Sequence, residues 1–280
     1  MSTVSMPAAA ARETAIPRGP QWILRDAWVM VRRFTIHSLR QPELIVFSTI
    51  QPVMFVLLFR YVFGGAIQTG ASYVDYLMPG IFVQTTVFGS MITGMGLAGD
   101  LHTGMVDRFR SLPMSRSAVL LGRTVTDALR NVFVILLMLG VGMAVGFRIH
   151  GGVLAVIGGI ALIVLFGFAF QWISAWIGVS IRNPEAVQSA GFIWVFPLTF
   201  LSSAFVPTAS IQPAWLRDIA QDNPFTIAVN AARQLFMGHE ATQVPGLGTD
   251  AGGNVLVTLA WTAGILLVFV PLAVSRYRRS

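Results

Sequence analysis

Lysine and cysteine are both absent from this chain. Without cysteine there is no disulfide, no thiolate metal site and no thiol nucleophile. Without lysine there is no phosphate-binding loop of the Gly-x-x-x-x-Gly-Lys-Ser/Thr type, whose lysine reaches the β- and γ-phosphates. If nucleotide energy drives this chain, another chain must hold the nucleotide. Charge is scarce: 11% of the 280 residues are charged, against about 25% in soluble domains. Catalytic patterns are missing too, with no His-Glu-x-x-His and no Gly-x-Ser-x-Gly. His37, His102, His150 and His239 have no second ligand at i+3 or i+4. Solvated or interfacial histidines are expected, with no metal site and no catalytic site.

What fills the chain instead is apolar. Hydrophobic residues make up 55%, and the mean hydropathy is +0.70. This composition describes an integral membrane protein that one domain accounts for. The net charge of +7 comes from arginines that flank apolar runs. They form no separate basic domain, so the partner they suggest is the membrane surface and not nucleic acid.

Residues 1–20 are rich in Ala, Ser, Pro and Thr and lack an apolar core of signal-peptide type, which predicts a mobile tail. Residues 21–41 predict an amphipathic helix. Leu24, Ala27, Trp28, Val31, Phe34 and Leu39 share one broad arc, with Arg25, Arg32, Arg33 and Arg40 opposite. That division suits a helix lying in the headgroup layer; a solvated helix packed on protein is the plainer alternative. The remainder, 42–280, carries six apolar runs at about 44–63, 76–98, 129–147, 153–179, 187–206 and 255–274. Each is near the ~20 residues that cross a bilayer. Pro52 and Pro197 interrupt the first and fifth. Gly142 and Gly146 have the small-xxx-small spacing that brings membrane helices close. Ser115 is placed to cap a helix running through Gly122 and Asp127 into the third run. Between the fifth and sixth runs, 211–220 and 225–237 predict short amphipathic helices, with Asn223 as a cap.

Six spans put both ends of the chain on one side. Six arginines lie in the N-terminal segment, five in the 100–130 stretch, one at the 182 turn and three at the C-terminus. Only Arg60, Arg148, Arg217 and Arg233 fall on the other side. Arginine marks the cytosolic side, so the termini and the 100–130 stretch are expected there, and 207–254 outside. Because no backbone polar group goes unpaired in lipid, the spans must be helices and the fold all-α.

The spans are almost free of ionisable groups. Proton- and sodium-coupled carriers place such groups near the midplane, so a secondary carrier is disfavoured. Moving an amphiphile needs no such group. Gln84, Thr85, Gln171, Trp172, Trp176, Trp194, Phe196 and Phe200 are candidates for lining its path. The same aromatic residues also serve as interfacial anchors and packing. In the 100–130 stretch, Phe109 stands among Asp107, Arg108 and Arg110 and is followed by Leu112-Pro113. An aromatic anchor between charges suits a peg for a groove on a partner. A charged loop that only sets topology has the same composition, and the residues alone serve both readings.

The order of these features resembles the membrane subunit of ABC-2 type exporters, especially the daunorubicin-resistance (DrrB-like) permeases of actinobacteria. The resemblance covers the chain after residue 20. It rests on the helix before the first span, on Gly104-Met-Val-Asp107-Arg108-Phe109-Arg110-Ser-Leu112-Pro113, on the stretch from Pro197 to Pro207, on Pro213-Ala-Trp215, and on Asn223-Pro224 through Arg233. His102-Thr103-Gly104-Met105 stands where the family typically has Glu-x-Gly-Thr. The resemblance implies the type V exporter fold, with six transmembrane helices and an external re-entrant hairpin at 207–238 carrying Pro207, Trp215, Asn223, Pro224 and Arg233. It implies a half-transporter that pairs with a second permease copy or homologue and with two copies of an ABC ATPase. Gly104 to Pro113 would be the coupling helix, with Arg182 and Glu185 a minor contact. ATP and Mg2+ would sit in the ATPase, with no cofactor in this chain. The expected function is export of a hydrophobic drug, antibiotic or lipid across a bacterial cytoplasmic membrane. Export of a polysaccharide or lipid-linked glycan, a secondary carrier and a membrane anchor are the alternatives.

Overall fold

Around one helix, Tyr73–His102, the others are arranged. The computed structural model describes residues 20–40, 42–67, 69–104, 116–247 and 249–279, and among these there is no strand. In chain order the helices are α1 (Pro20–Leu39), α2 (Pro42–Leu58, continued as a π turn over Phe59–Phe63), α3 (Tyr73–His102), α4 (Arg116–Val145), α5 (Val153–Ile181), α6 (Pro184–Phe200), α7 (Ala214–Asp222), α8 (Pro224–Met237) and α9 (Ala251–Arg279). Short 3₁₀ turns occupy Thr208–Ser210 and Gly238–Gln243.

Among the described residues, four stretches are long and apolar enough to cross a membrane: Tyr73–His102, Leu120–Val145, Val153–Ile181 and Ala251–Tyr277. Thr49–Phe63 is a shorter apolar helix. α6 has 17 residues, which at 1.5 Å per residue is roughly 26 Å. Span limits differ from the sequence expectation chiefly at α4, which begins at Arg116 while its apolar run was placed from 129. Its polar early turns are held by protein. Gly122 lies against Met30 of α1, and the Thr126 hydroxyl donates to the Val31 carbonyl at 3.3 Å. The cap expected of Ser115 lies outside the described residues.

α3 packs on α5, α6, α4 and α8. Its closest approach is to α5. A Cβ added at Gly94 would overlap the Ser174 carbonyl oxygen, and one at Gly178 would overlap that of Gly94. The two backbones therefore touch, as small residues allow in membrane helices. Gly178→Ala is expected to cost about 2 kcal/mol, the usual size of an overpacking penalty. Gly140→Ala is the control, since its Cβ would meet nothing within 4 Å. Thermal unfolding of the two purified variants checks this, and equal midpoints would refute the contact. Gly142 also packs closely, against Met78, but Gly146 does not. Its φ of +111° turns the chain after α4, so the paired spacing is only half a packing motif.

The core runs along α3, α5 and α8, through Tyr76, Phe82, Phe166, Phe225, Val229 and Phe236, all fully buried. α9 is bare by comparison, with Leu267 77% exposed. Its inner threonines are satisfied within their own helix, Thr258 to Asn254 O at 2.7 Å and Thr262 to Thr258 O at 2.8 Å. On α1, Met30 and Val31 are buried, while Trp28 is 70% exposed. Trp28 and Val31, placed on one arc from the sequence, thus part company: one faces away, the other faces protein.

Candidate functional site

Polar side chains collect in two places along α3, and a groove opens beside the first. Toward the C-terminal end of α3, Asp127 of α4 accepts from the Thr93 hydroxyl at 2.7 Å. Its carboxylate lies 3.3 Å from Arg130 Nη1 and 3.9 Å from Arg123 Nε. Arg123 also pairs with Asp100 at 2.5 Å, and its guanidinium stands 5.6 Å from the Phe34 ring centroid. Two acids and two arginines thus pair with one another inside the helix bundle, which is how ionisable groups are tolerated at membrane depth. Two donors are left over: among the described residues, Arg123 Nε and Arg130 Nη2 are buried without a hydrogen-bond partner.

Arg130 lines the groove, which runs between α2, α3, α4 and α6. Gln51, Gln84, Thr85, Asn131 and Gln188 add polar groups. Phe55, Phe88, Phe192, Met91, Ile92 and Met95 form the apolar wall, and no carboxylate lines it among the described residues. An apolar cleft with a few convergent polar groups is the usual form of a small-molecule site.

Of the residues expected along a path, Gln84 and Thr85 line this groove and the others do not. Gln171 is fully buried between α5 and α4. With its amide turned to suit its neighbours, the nitrogen donates to Thr124 O at 2.9 Å and the oxygen accepts from Asn131 Nδ2 at 3.1 Å. Trp172 is buried, Trp176 meets Phe269 edge-on at 5.7 Å, and Trp194 stacks on Phe170 at 5.6 Å. Phe196 and Phe200 stack at 4.2 Å, and Phe200 continues to Phe205 at 5.3 Å. The groove residues that sequence reasoning passed over are Arg130, Asn131, Gln51, Gln188 and the phenylalanines 55, 88 and 192. The one signal for them was the polar pair Arg130-Asn131 at the head of an apolar run.

Gly104 ends α3 with a φ of +68°. Asp107, Arg108, Phe109, Arg110, Leu112 and Pro113 lie outside the described residues. The second polar turn is built as a tight cap: Arg182 closes α5 in the left-handed region, and the Asn183 side chain accepts from the amides of Glu185 and Ala186. Arg182 and Glu185 are exposed. Pro184 stands near Gly99, so this turn sits at the Gly104 end of α3. On α1, Arg25, Arg32 and Arg33 are on the exposed side with Trp28.

The other polar collection lies toward the N-terminal end of α3. Asn223 caps α8 through its oxygen and donates from Nδ2 to Leu198 O and Leu201 O, both at 2.7 Å. Pro224 takes the first helical position, where no amide is needed. Trp215 is 63% exposed, and Pro207 precedes the Thr208–Ser210 turn. Arg233 is completely buried. Nε donates to Tyr76 O at 2.8 Å, Nη1 to Asn230 Oδ1 at 3.0 Å and Ser203 Oγ at 3.3 Å. Nη2 donates to Ser203 O at 2.6 Å and Ala204 O at 3.3 Å. The guanidinium lies 3.6 Å from the Tyr76 ring centroid. A residue placed by sequence on an outer segment is thus the binder of α3, α8 and the 203–204 turn.

A family model described as "ABC-2 type transporter" matches residues 25–237. The chain is 35% identical over 238 residues to the daunorubicin resistance ABC transporter permease protein DrrB1 of Streptomyces coeruleorubidus, covering 85% of this chain and 80% of that one. It is 31% identical over 173 residues to the doxorubicin resistance ABC transporter permease protein DrrB of Mycobacterium tuberculosis, covering 58% of this chain and 59% of that one.

Proposed function

The chain belongs to the ABC-2 type transporter family, and from that premise we propose that it is the membrane half of an ATP-driven exporter of hydrophobic or amphiphilic drugs, antibiotics or lipids. The observation that carries this reading is the groove beside Arg130, where aromatic walls meet carboxamides and a buried guanidinium nitrogen without a partner. An amphiphile would lay its apolar body on Phe88 and Phe192 and offer an acceptor to Arg130. Two such subunits would face each other, each with an ATPase that holds ATP and Mg2+; the absence of lysine supports that division of labour.

In this reading the chain crosses a bacterial cytoplasmic membrane six times, with α2 and α6 joining the four long spans. The arginine count supports cytosolic termini. α1 rests in the headgroup layer, its exposed Trp28 turned to lipid. α7 and α8, with 9 and 14 residues, are too short to span and form a hairpin that enters the outer leaflet. Phe109 and Arg110 engage the ATPase, and closure of the ATPases rocks the spans.

The test is reconstitution with an ABC ATPase that co-purifies with this chain. Wild type is expected to extrude a hydrophobic dye only with ATP, and dye should stimulate hydrolysis. Phe109→Ala and Arg110→Glu are expected to insert normally yet lose at least tenfold in dye extrusion. Extrusion that follows a proton gradient without ATPase would overturn the exporter reading. Unchanged extrusion in both variants would remove the coupling assignment alone.

A further inference from the structure

We infer that the chain carries a divalent transition-metal site made by Asp75, His150 and Glu240. These residues come from three separate segments: the first turn of α3, the α4–α5 connection and the Gly238–Gln243 turn. One ligand atom from each lies within 4.8 Å of the others. His150 Nδ1 and Glu240 Oε2 are 3.2 Å apart, close to the roughly 3.3 Å that separates two ligands of a tetrahedral zinc with bonds of about 2 Å.

The independent observation is Asp75 itself. It is 3% exposed, and its one hydrogen bond among the described residues runs from the Arg148 amide to Oδ1 at 2.7 Å. No arginine pairs with it among those residues. A buried carboxylate without a cation is costly, and a metal dication is the group that would balance Asp75 and Glu240 together. The Arg148 amide holds this ligand in place, as hydrogen bonds behind a metal ligand do.

The frame is rigid where the ligands attach. The amides of His150 and Gly151 both donate to Phe236 O, at 3.0 and 2.8 Å. His150 and Glu240 side chains remain 34% and 39% exposed, which leaves an entry path and open positions for water. One imidazole with two carboxylates favours zinc and its neighbours over calcium or magnesium, which prefer all-oxygen sites. The site lies at the Tyr73 end of α3, away from Asp100 and Gly104, and does not depend on the transport reading. Occupied, it would tie three segments together across the outer end of the bundle.

Zinc binding to the purified, metal-stripped chain in detergent, followed by titration calorimetry, tests the site. One saturable zinc per chain is expected, with His150→Ala and Glu240→Gln each weakening it at least tenfold. Zinc should also raise the thermal midpoint of wild type and leave that of His150→Ala unchanged. His239→Ala, an exposed neighbour, is expected to bind as wild type does. Calcium in tenfold excess should not compete. Absence of saturable zinc binding by wild type would leave His150 and Glu240 a simple side-chain contact and overturn the inference. Unchanged affinity in His150→Ala, or loss in His239→Ala alone, would do the same.

Discussion

Arg233→Met is expected to destabilise the fold by on the order of 3–5 kcal/mol. Hydrogen bonds to a charged group are each worth roughly 1.5–3 kcal/mol, and a buried acceptor left alone costs about 1–3. Methionine fills much of the volume but donates nothing. The carbonyls of Ser203, Ala204 and Tyr76 would all lose their guanidinium donors. Contact with the Tyr76 ring adds about 2 kcal/mol when desolvated. Arg233→Lys should rescue little, because a single ammonium cannot reproduce five donors in a planar fork. The readout is the thermal midpoint in detergent together with protease sensitivity of the 203–247 region. A methionine variant that melts with wild type would show that the network is ornamental.

The second large effect is expected at the other end of α3. Asp127→Asn should cost on the order of 3 kcal/mol, the usual result of removing one partner from a buried ion pair. Among the described residues, Arg130 would lose its only carboxylate and Arg123 would keep only Asp100. Because the loss is mostly an unpaired charge, Arg130→Gln in the same chain should return at least half of it. A double-mutant cycle on thermal midpoints decides this. Additive effects of the two substitutions would mean that the charges are not coupled. Dye extrusion in the double variant then reports separately on what Arg130 does in the groove.

Much of this architecture is legible in the residues. Apolar runs located α3, α5 and α9, and the Asp222-Asn223-Pro224 break marked the cap between α7 and α8. Where the reading failed, long-range pairing was the cause. Arg123, Asp127 and Arg130 look like an exit from the membrane when counted one by one. Their charges pair with one another and with Asp100 inside the bundle, and the apolar residues that follow make Leu120–Val145 long and apolar enough to span. Gln171 and Trp172 suggested a path because both are polar or amphipathic in an apolar run; α4 and the bundle core absorb them instead. No spacing announces that the Ser203 and Ala204 carbonyls will converge on Arg233, or that Asp75, His150 and Glu240 will meet. Such contacts join residues tens of positions apart, and one-dimensional patterns carry no trace of them.

The glycine contact between α3 and α5 has a mechanical corollary. Where side chains interdigitate, helices can shear by exchanging rotamers. Gly94 and Gly178 have no rotamers to exchange, and their main chains already touch. Sliding one helix along the other would drive backbone into backbone, so α3 and α5 translate as one strut. Any displacement delivered near Gly104 is then carried undiminished along α3 to Tyr73. Compliance has to reside elsewhere, as in thinly anchored α2 with its proline and π turn.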